Sequence, residues 1–563
     1  MKNEKKRNLR SREWFDTPEL YGWTRQAALQ GLGLDPGVYR DRPLIGICNT
    51  WSELTHCNAH LRTLAQRVKE GVWQAGGVPF EFPVISLGEF NMRPTAMLFR
   101  NLLSMDVEEC IRANPLDGVV LLGGCDKTTP GLLMGAVSAD LPAILVTGGP
   151  QLTAHWRGQE LGSCTDCRRF EAELRAGRIG QEDWLDLQGA MIRSPGHCMT
   201  MGTASTLATL AEALGLALPG NAAYPAADSR RTRLAHRAGR RIVDLAERDL
   251  KPSRLLSAAS FDNAIHTLHA IGGSTNAIVH LLAVAGRAGI PLSLKRFDEL
   301  SRTTPVLLDL KPAGRFLMED FAYAGGAAAL LNEIAPLLDL DQPTVTGKSL
   351  GENCQGARND NPEVIRPLDR PLEPAGGLAV LYGSLAPDGC IIKHSAAAPG
   401  LLRHEGRAIV FDDHHELLEG IDDPDLEVGP GDVLVLRGAG PLGGPGMPEW
   451  GLLPIPRKLL RSGVRDMVRI SDARISGTAR GTVVVHVCPE SEAGGPLAAV
   501  RTGDPIRLDV PARRLDLLVE PREIKRRLAG FRRRVRPESR GYRRLYFERV
   551  LQADQGCDFD FLR

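Results

Sequence analysis

A chain of 563 residues is too long for one hydrophobic core, so two domains of unequal size are expected. Its net charge of +1 and charged fraction of 24 % leave no basic excess for nucleic acid, and no apolar run approaches the roughly 20 residues of a membrane span. Sixty glycines and 38 prolines beside only 5 % aromatics fit a turn-rich α/β enzyme whose loops approach small ligands closely.

The opening MKNEKKRNLRSR is basic with no apolar segment after it. It reads as a mobile, solvated arm rather than a secretory signal, and the chain as cytoplasmic. PLIGICNT, DGVVLLGG and LPAILVTGG then read as central strands, each ending in glycine or a polar turn. AHLRTLAQRVKEGVWQAGG and TASTLATLAEALGLALPG read as helices closed by glycine. Strands alternating with helices predict a parallel sheet with ligands at the carboxyl ends of its strands. The character changes at the proline-rich RPLDRPLEPAGG, near residues 366 to 377. An N-terminal α/β domain over 1–370 is therefore expected, followed by a smaller β-rich, barrel-like domain over 377–563. In that second part GLAVLYGS, GCIIKHS, RAIVFDD, GDVLVLRGAG and TVVVHVCPE are short strands, and GDPIRLDVPARRLDLLV has a hairpin rhythm. The basic tail PREIKRRLAGFRRRVRPESRGYRR reads as a solvated helix.

Chemistry concentrates in VVLLGGCDKTTPG, where Cys125, Asp126 and Lys127 stand side by side between a strand and a helix start. The 11 cysteines are an odd number, and a large chain without a secretion signal rarely spends them on disulfides. Most should be small buried hydrophobes. CTDC, Cys164 to Cys167, is a lone pair without a second pair or neighbouring histidines, so it reads as two incidental cysteines on a surface turn leading into a helix. Cys57, Cys125 and Cys198 sit instead at turns into helices. Three thiolates there could ligate an iron–sulfur cluster and leave one iron position open, although the long intervals alone leave this undecided. Glu89, Asp126 and Glu449 offer hard oxygen ligands of the kind Mg²⁺ takes. Each alone reads better as a cap or surface carboxylate, and Lys127 could be a plain salt-bridge partner of Asp126.

GGCDKTTPG, GHCMTMGTAST, AIGGSTNAIVHLLAVA and SDARISGTARGTVVVHVCPE, in this order, resemble the IlvD/Edd dehydratase family over essentially the whole chain. The resemblance implies an α/β domain joined to a β-rich one. It also implies that Cys57, Cys125 and Cys198 hold the cluster, which the sugar-acid branch makes 2Fe–2S, with 4Fe–4S left open because three cysteines serve either. Glu89, Asp126 and Glu449 are implied to hold Mg²⁺, with Lys127 carboxylated to give a further oxygen. Ser476 is the implied base, reacting as an alkoxide, with Thr478 placed to hydrogen-bond it. The implied reaction is loss of water from a small polyhydroxy acid, giving a 2-keto-3-deoxy acid, in a homodimer or homotetramer. ISLGEFNMRPTAMLFRNLLSMDVEE resembles the aldonic-acid branch, which favours arabinonate, xylonate or a related sugar acid. Arg480 is closer to the pattern of dihydroxy-acid dehydratase, the alternative. A non-catalytic iron–sulfur sensor would need only the cysteines, so Ser476, Lys127 and the three carboxylates argue against it.

Overall fold

In the computed structural model, residues 9–17, 19–534 and 538–563 are described. Strands β1 (Leu44–Asn49), β3 (Gly118–Gly123) and β4 (Ala143–Thr147) are continuous apolar runs, and all their residues are buried. Such runs suit the middle of a parallel sheet covered on both faces. They form one, in the order β2–β1–β3–β4, with every pairing parallel. β2 (Val78–Pro83) is not among the strands expected from the sequence. Its VPFEFP carries two prolines, which this strand accommodates because it lies at the sheet edge. The helices Leu61–Gln74, Arg100–Ala113 and Thr128–Ala139 follow β1, β2 and β3 in turn. Cys57, Glu89 and Cys125–Lys127 therefore all lie on loops at the carboxyl edge of one sheet.

After a small antiparallel hairpin of β5 (Ala154–Trp156) and β6 (Gln159–Leu161) comes a largely helical stretch, and then the second sheet. It comprises β7 (Ala379–Leu381), β8 (Gly389–Ile392), β9 (Arg403–Phe411), β10 (Val433–Leu436), β11 (Arg469–Ser471), β12 (Val483–Cys488), β13 (Pro505–Asp509) and β14 (Arg514–Leu517). Their order is β14–β13–β9–β10–β11–β12–β8–β7. The two ends approach each other. Tyr382 N donates to Arg513 O, and Leu515 N to Tyr382 O, so the sheet is a nearly closed barrel. Val435, Ile470, Val484, Ile506 and Leu515 pack together as its core. β11, only three residues long, escapes the sequence reading.

Two terminal expectations need comment. Residues 1–8 of the arm lie outside the described residues, but 9–12 are anchored rather than mobile. Leu9 is buried, Ser11 N donates to Asp117 Oδ1 at 2.8 Å, and Arg10 Nη1 donates to the carbonyls of Asn114 (2.9 Å) and Leu116 (3.1 Å). The reason is local: carbonyls around the end of Arg100–Ala113 have no partner within the helix, and a guanidinium satisfies several at once. The basic tail forms two helices, with 535–537 outside the described residues. Pro521–Ala529 is solvated, as expected, and ties Glu523 to Arg526 and Arg527. Gly541–Arg549 instead buries Tyr546 beside Leu98 and Phe559. Among the described residues no helix is long and apolar enough to cross a membrane.

Candidate active site

The centre is built around Lys127, whose side chain is completely buried. Its Nζ lies 2.5 Å from Asp126 Oδ2, 2.8 Å from Glu449 Oε1 and 3.4 Å from Glu89 Oε2. Lys127 and Asp126 come from the turn after β3, Glu89 from the loop after β2, and Glu449 from the glycine-rich loop between β10 and β11. One oxygen of each carboxylate falls within 4.8 Å of the others. Arg474 Nη1 adds a second cation, 3.1 Å from Glu449 Oε1.

Three carboxylates thus face two cations, a formal excess of one negative charge in a site shielded from water. Burial raises the Glu449 carboxyl, but Lys127 and Arg474 outweigh it and hold the group down at about 2. Burial and Arg474 push the Lys127 ammonium down, and Asp126, Glu449 and Glu89 together override them and raise it. Glu89 goes the other way: its burial prevails over Lys127 and raises the carboxyl. Its Oε1 accepts from Thr95 Oγ1 at 2.5 Å, while its buried Oε2 accepts no hydrogen bond. A hard cation matches this set of convergent oxygens, one of them unused. These residues fit Mg²⁺.

Cys57, Cys125 and Cys198 converge beside the carboxylates. Cys125 Sγ is 3.3 Å from Asp126 Oδ1, and the neighbouring Cys125 thiol, burial and Cys198 together push the Cys57 thiol well up. Two loops are locked to achieve this. Gly124 N donates to Asn58 Oδ1 at 2.9 Å, and a Cβ on Gly124 would stand 2.6 Å from Cys57 O, so only glycine lets the strands' ends close so tightly. Three soft ligands from three turns fit an iron–sulfur cluster.

Ser476 and Thr478 approach from the turn after β11. Their hydroxyls are 2.8 Å apart. The turn is held by Asn276, whose Nδ2 donates to Ile475 O (2.9 Å), Thr203 Oγ1 (3.1 Å) and Glu449 Oε1 (3.4 Å). Arg474 Nη2 also reaches Thr95 Oγ1 at 3.1 Å, tying the base's own turn to the Glu89 loop. At Gly477 a Cβ would meet Thr203 N at 2.5 Å. A side chain there would lift Ser476 off the site.

Of the residues singled out in the sequence, Glu89, Asp126, Lys127 and Glu449 are in direct contact, Cys125 adjoins Asp126, and the Ser476–Thr478 turn is linked to Glu449 through Asn276. Others join them unannounced: Thr95, Asn276 and Arg474 carry the links between loops, although Asn276 and Arg474 lie inside motifs that had been noticed for other reasons. CTDC requires a correction. It is not a surface turn: Cys164 and Cys167 lie half-buried at the start of the helix Ser163–Arg175, where the Cys167 and Cys198 thiols push the Cys164 thiol well down. The β5–β6 hairpin turns the chain back, and three bonds pin the helix start: Ser163 Oγ accepts from Met199 N (3.0 Å), Thr165 Oγ1 donates to Thr478 O (2.7 Å), and Lys311 pairs with Asp166 (2.8 Å). On the same helix the Arg168 guanidinium acts on Glu449, and its buried Nε has no hydrogen-bond partner among the described residues.

A parallel α/β sheet and a barrel-like sheet that close over paired soft and hard donor sets define a two-domain, metal-type centre for a small oxygen-rich substrate. The family described as Dihydroxy-acid/6-phosphogluconate dehydratase matches this chain, its N-terminal part over residues 42–353 and its C-terminal part over 363–557, and the chain belongs to it. An L-arabonate dehydratase of Azospirillum brasilense is 53 % identical over 566 residues, covering 99 % of this chain and 97 % of that one. A 6-deoxy-6-sulfo-D-gluconate dehydratase of Pseudomonas putida is 49 % identical over 565 residues, covering 100 % and 98 %. A dihydroxy-acid dehydratase of Caldanaerobacter subterraneus subsp. tengcongensis is 39 % identical over 545 residues, covering 95 % and 96 %.

Proposed function

We propose that the chain dehydrates an aldonic acid to the 2-keto-3-deoxy acid, with Cys57, Cys125 and Cys198 holding an iron–sulfur cluster of the 2Fe–2S type. Glu89, Asp126 and Glu449 hold Mg²⁺ together with Lys127 in carboxylated form. The observation that carries this reading is the Ser476–Thr478 turn, tied through Arg474 and Asn276 to the carboxylate Glu449, which shares Lys127 with Asp126 beside Cys125.

When bound, the two metal groups supply Lewis acidity, which makes the C3 hydroxyl a better leaving group, neutralises charge at the carboxylate end and lowers the pKa of a nearby hydroxyl. The rest is the work of the chain. Ser476 Oγ takes the C2 proton, and the Thr478 hydroxyl, 2.8 Å away, donates to the alkoxide that does so. Arg474 cannot serve as the base, because a guanidinium paired to a carboxylate stays protonated. Arg474 and Asn276 instead fix the turn, and Arg168, whose buried Nε has no hydrogen-bond partner among the described residues, brings a further cation near Glu449 for an anionic substrate. Lys127 occupies the middle of the three carboxylates, where a divalent cation belongs, so its ammonium charge must go before one enters. Carboxylation of Nζ by carbon dioxide, with loss of two protons, replaces that positive charge with a carbamate's negative one and brings two oxygens, one of which can serve as a further ligand.

Removing the hard cation with EDTA is expected to stop turnover while the visible absorbance of the cluster persists, since the two groups use different donor types. Glu449→Gln should do the same, and bleaching on mild chelation would count against two separate sites. The substrate class is tested by a keto-acid assay with Mg²⁺ over arabinonate, xylonate, gluconate, 6-deoxy-6-sulfogluconate and 2,3-dihydroxyisovalerate. An aldonate is expected to give the highest kcat/KM. Exposed Arg480, two residues beyond Thr478, favours the dihydroxy-acid alternative, and a preference for 2,3-dihydroxyisovalerate would establish it. The family resemblance further points to a cytoplasmic homodimer or homotetramer, which light scattering on the purified protein would resolve.

A further inference from the structure

Glu449 sits near the end of a glycine-rich loop, and the start of that loop is held by two carboxylates with no part in the reaction described above. Gly438 N donates to Ser491 Oγ (2.7 Å), Ala439 N to Asp472 Oδ1 (2.9 Å), and Leu442 N and Gly443 N to Glu490 (each 2.9 Å). Glu490, two residues beyond β12, is completely buried, and a Cβ on Gly440 would stand 2.6 Å from its Oε2. Successive turns carry the clamped end on toward Pro448 and Glu449: Gly444 N donates to Gly440 O (2.9 Å) and Met447 N to Gly444 O (2.5 Å).

Both oxygens of Glu490 are already surrounded by donors. Oε2 accepts from Leu442 N and Gly443 N, and Oε1 from Leu442 N and, at 2.7 Å, Gln552 Nε2. A proton on either oxygen would point at an N–H, so one of these bonds must break to make room for it. Gln552 cannot turn over to accept that proton without losing the bond from Glu490 N to its own Oε1 (2.9 Å). Burial and Asp472 push the Glu490 carboxyl up to about 7 against the pull of these donors, so both forms are populated near neutrality. The other titratable groups on that side are Cys488, Tyr546, Asp554 and Cys557, while Glu492 on the same segment accepts from Arg534 N at 2.8 Å. Arg100 and Arg474, which also act on Cys557, are engaged with main-chain carbonyls and with Glu449.

We propose that Glu490 is a positioning residue whose carboxylate form clamps the loop and seats Glu449 for the hard cation, and whose protonated form releases it. This rests on reading Glu449 as a ligand of that cation. Linkage makes the effect reciprocal: the cation favours the ionised form, so a proton leaves Glu490 as the cation enters.

Two measurements on the anaerobically purified protein, made on either side of neutral pH, test this. One is hydrogen exchange at the Leu442 and Gly443 amides, corrected for the intrinsic pH dependence of exchange. The other is the dissociation constant of Mn²⁺ after the hard cation has been removed with EDTA. In the wild type both amides should lose protection on acidification, and Mn²⁺ affinity should fall about tenfold more than in Glu490→Gln, which cannot ionise. The other carboxylates titrate in both proteins, so the difference belongs to Glu490. Gln552→Ala leaves Glu490 ionisable but removes a donor to its carboxylate, and should move the step in protection to higher pH. It decides the matter alone if Glu490→Gln does not fold. A merely structural Glu490 would give lower protection in Gln552→Ala at every pH with no displaced step, and that result would overturn the proposal. So would an equal fall of Mn²⁺ affinity in wild type and Glu490→Gln. If Mn²⁺ binds to neither protein yet the protection follows these steps, the clamp on the loop stands and the reading of Glu449 as a ligand falls.

Discussion

Ser476→Ala is expected to abolish measurable turnover while the protein still folds, keeps its visible absorbance and binds its substrate nearly as well. The change removes one oxygen from a half-buried turn that Arg474, Asn276 and Gly477 hold independently of the serine side chain. A positioned base contributes about 10²–10⁴-fold to rate. Nothing adjacent can replace it, because Thr478 is an unassisted hydroxyl and Arg474 is locked in an ion pair. A merely structural serine would behave differently. Among the described residues its side chain bonds only Thr478 Oγ1 and, at 3.4 Å, the Thr478 amide, so its loss would cost about 1 kcal/mol of stability and little rate. Measuring kcat, KM and Tm on one preparation separates the two. A variant that melts lower but turns over at nearly the wild-type rate removes Ser476 from the mechanism.

Replacing Cys57, Cys125 or Cys198 by serine should bleach the visible absorbance and eliminate activity, because a hydroxyl is a poor ligand for iron where a thiolate is wanted. Cys164→Ser and Cys167→Ser, purified without oxygen, should keep the colour. The contrast separates residues assigned as ligands from the two cysteines that are not. Retained colour in Cys57→Ser, or bleaching confined to the CTDC variants, would reverse that assignment.

What the sequence disclosed and what it hid follow one physical rule. Features with a local cause were legible. β1, β3 and β4 announce themselves because a strand buried on both faces must be apolar throughout, and the glycines after β3 mark the turn that carries Cys125 to Lys127. β2 and β11 were hidden, one by its prolines and the other by its length, because edge position and neighbouring strands decide both. The chemically active residues were recognised through motifs, but their meeting place was not: Glu449 reaches Lys127 across 322 positions. The clearest misreading, CTDC, has the same origin. Spacing says nothing of a hairpin that folds the helix start back onto Cys198. Arg10 was misread for a similar reason, since the carbonyls it satisfies lie about a hundred residues away.

The reach of Glu449 into the first half of the chain also sets a timetable. Cys57, Cys125 and Cys198 are synthesised early, together with Glu89, Asp126 and Lys127. At roughly 5–20 residues per second, the 322 residues between Lys127 and Glu449 take about 15–65 s to emerge. Once Cys198 has emerged, and until Glu449 does, the nascent chain has Cys57, Cys125 and Cys198 but only two of the three carboxylates. On the proposed assignment the soft donor set is then complete while the hard one is not, and the last carboxylate arrives on the same stretch of chain that, 27 residues later, delivers Ser476. Synthesis itself therefore keeps the three-carboxylate cage and the base from coming together before the thiols have been made.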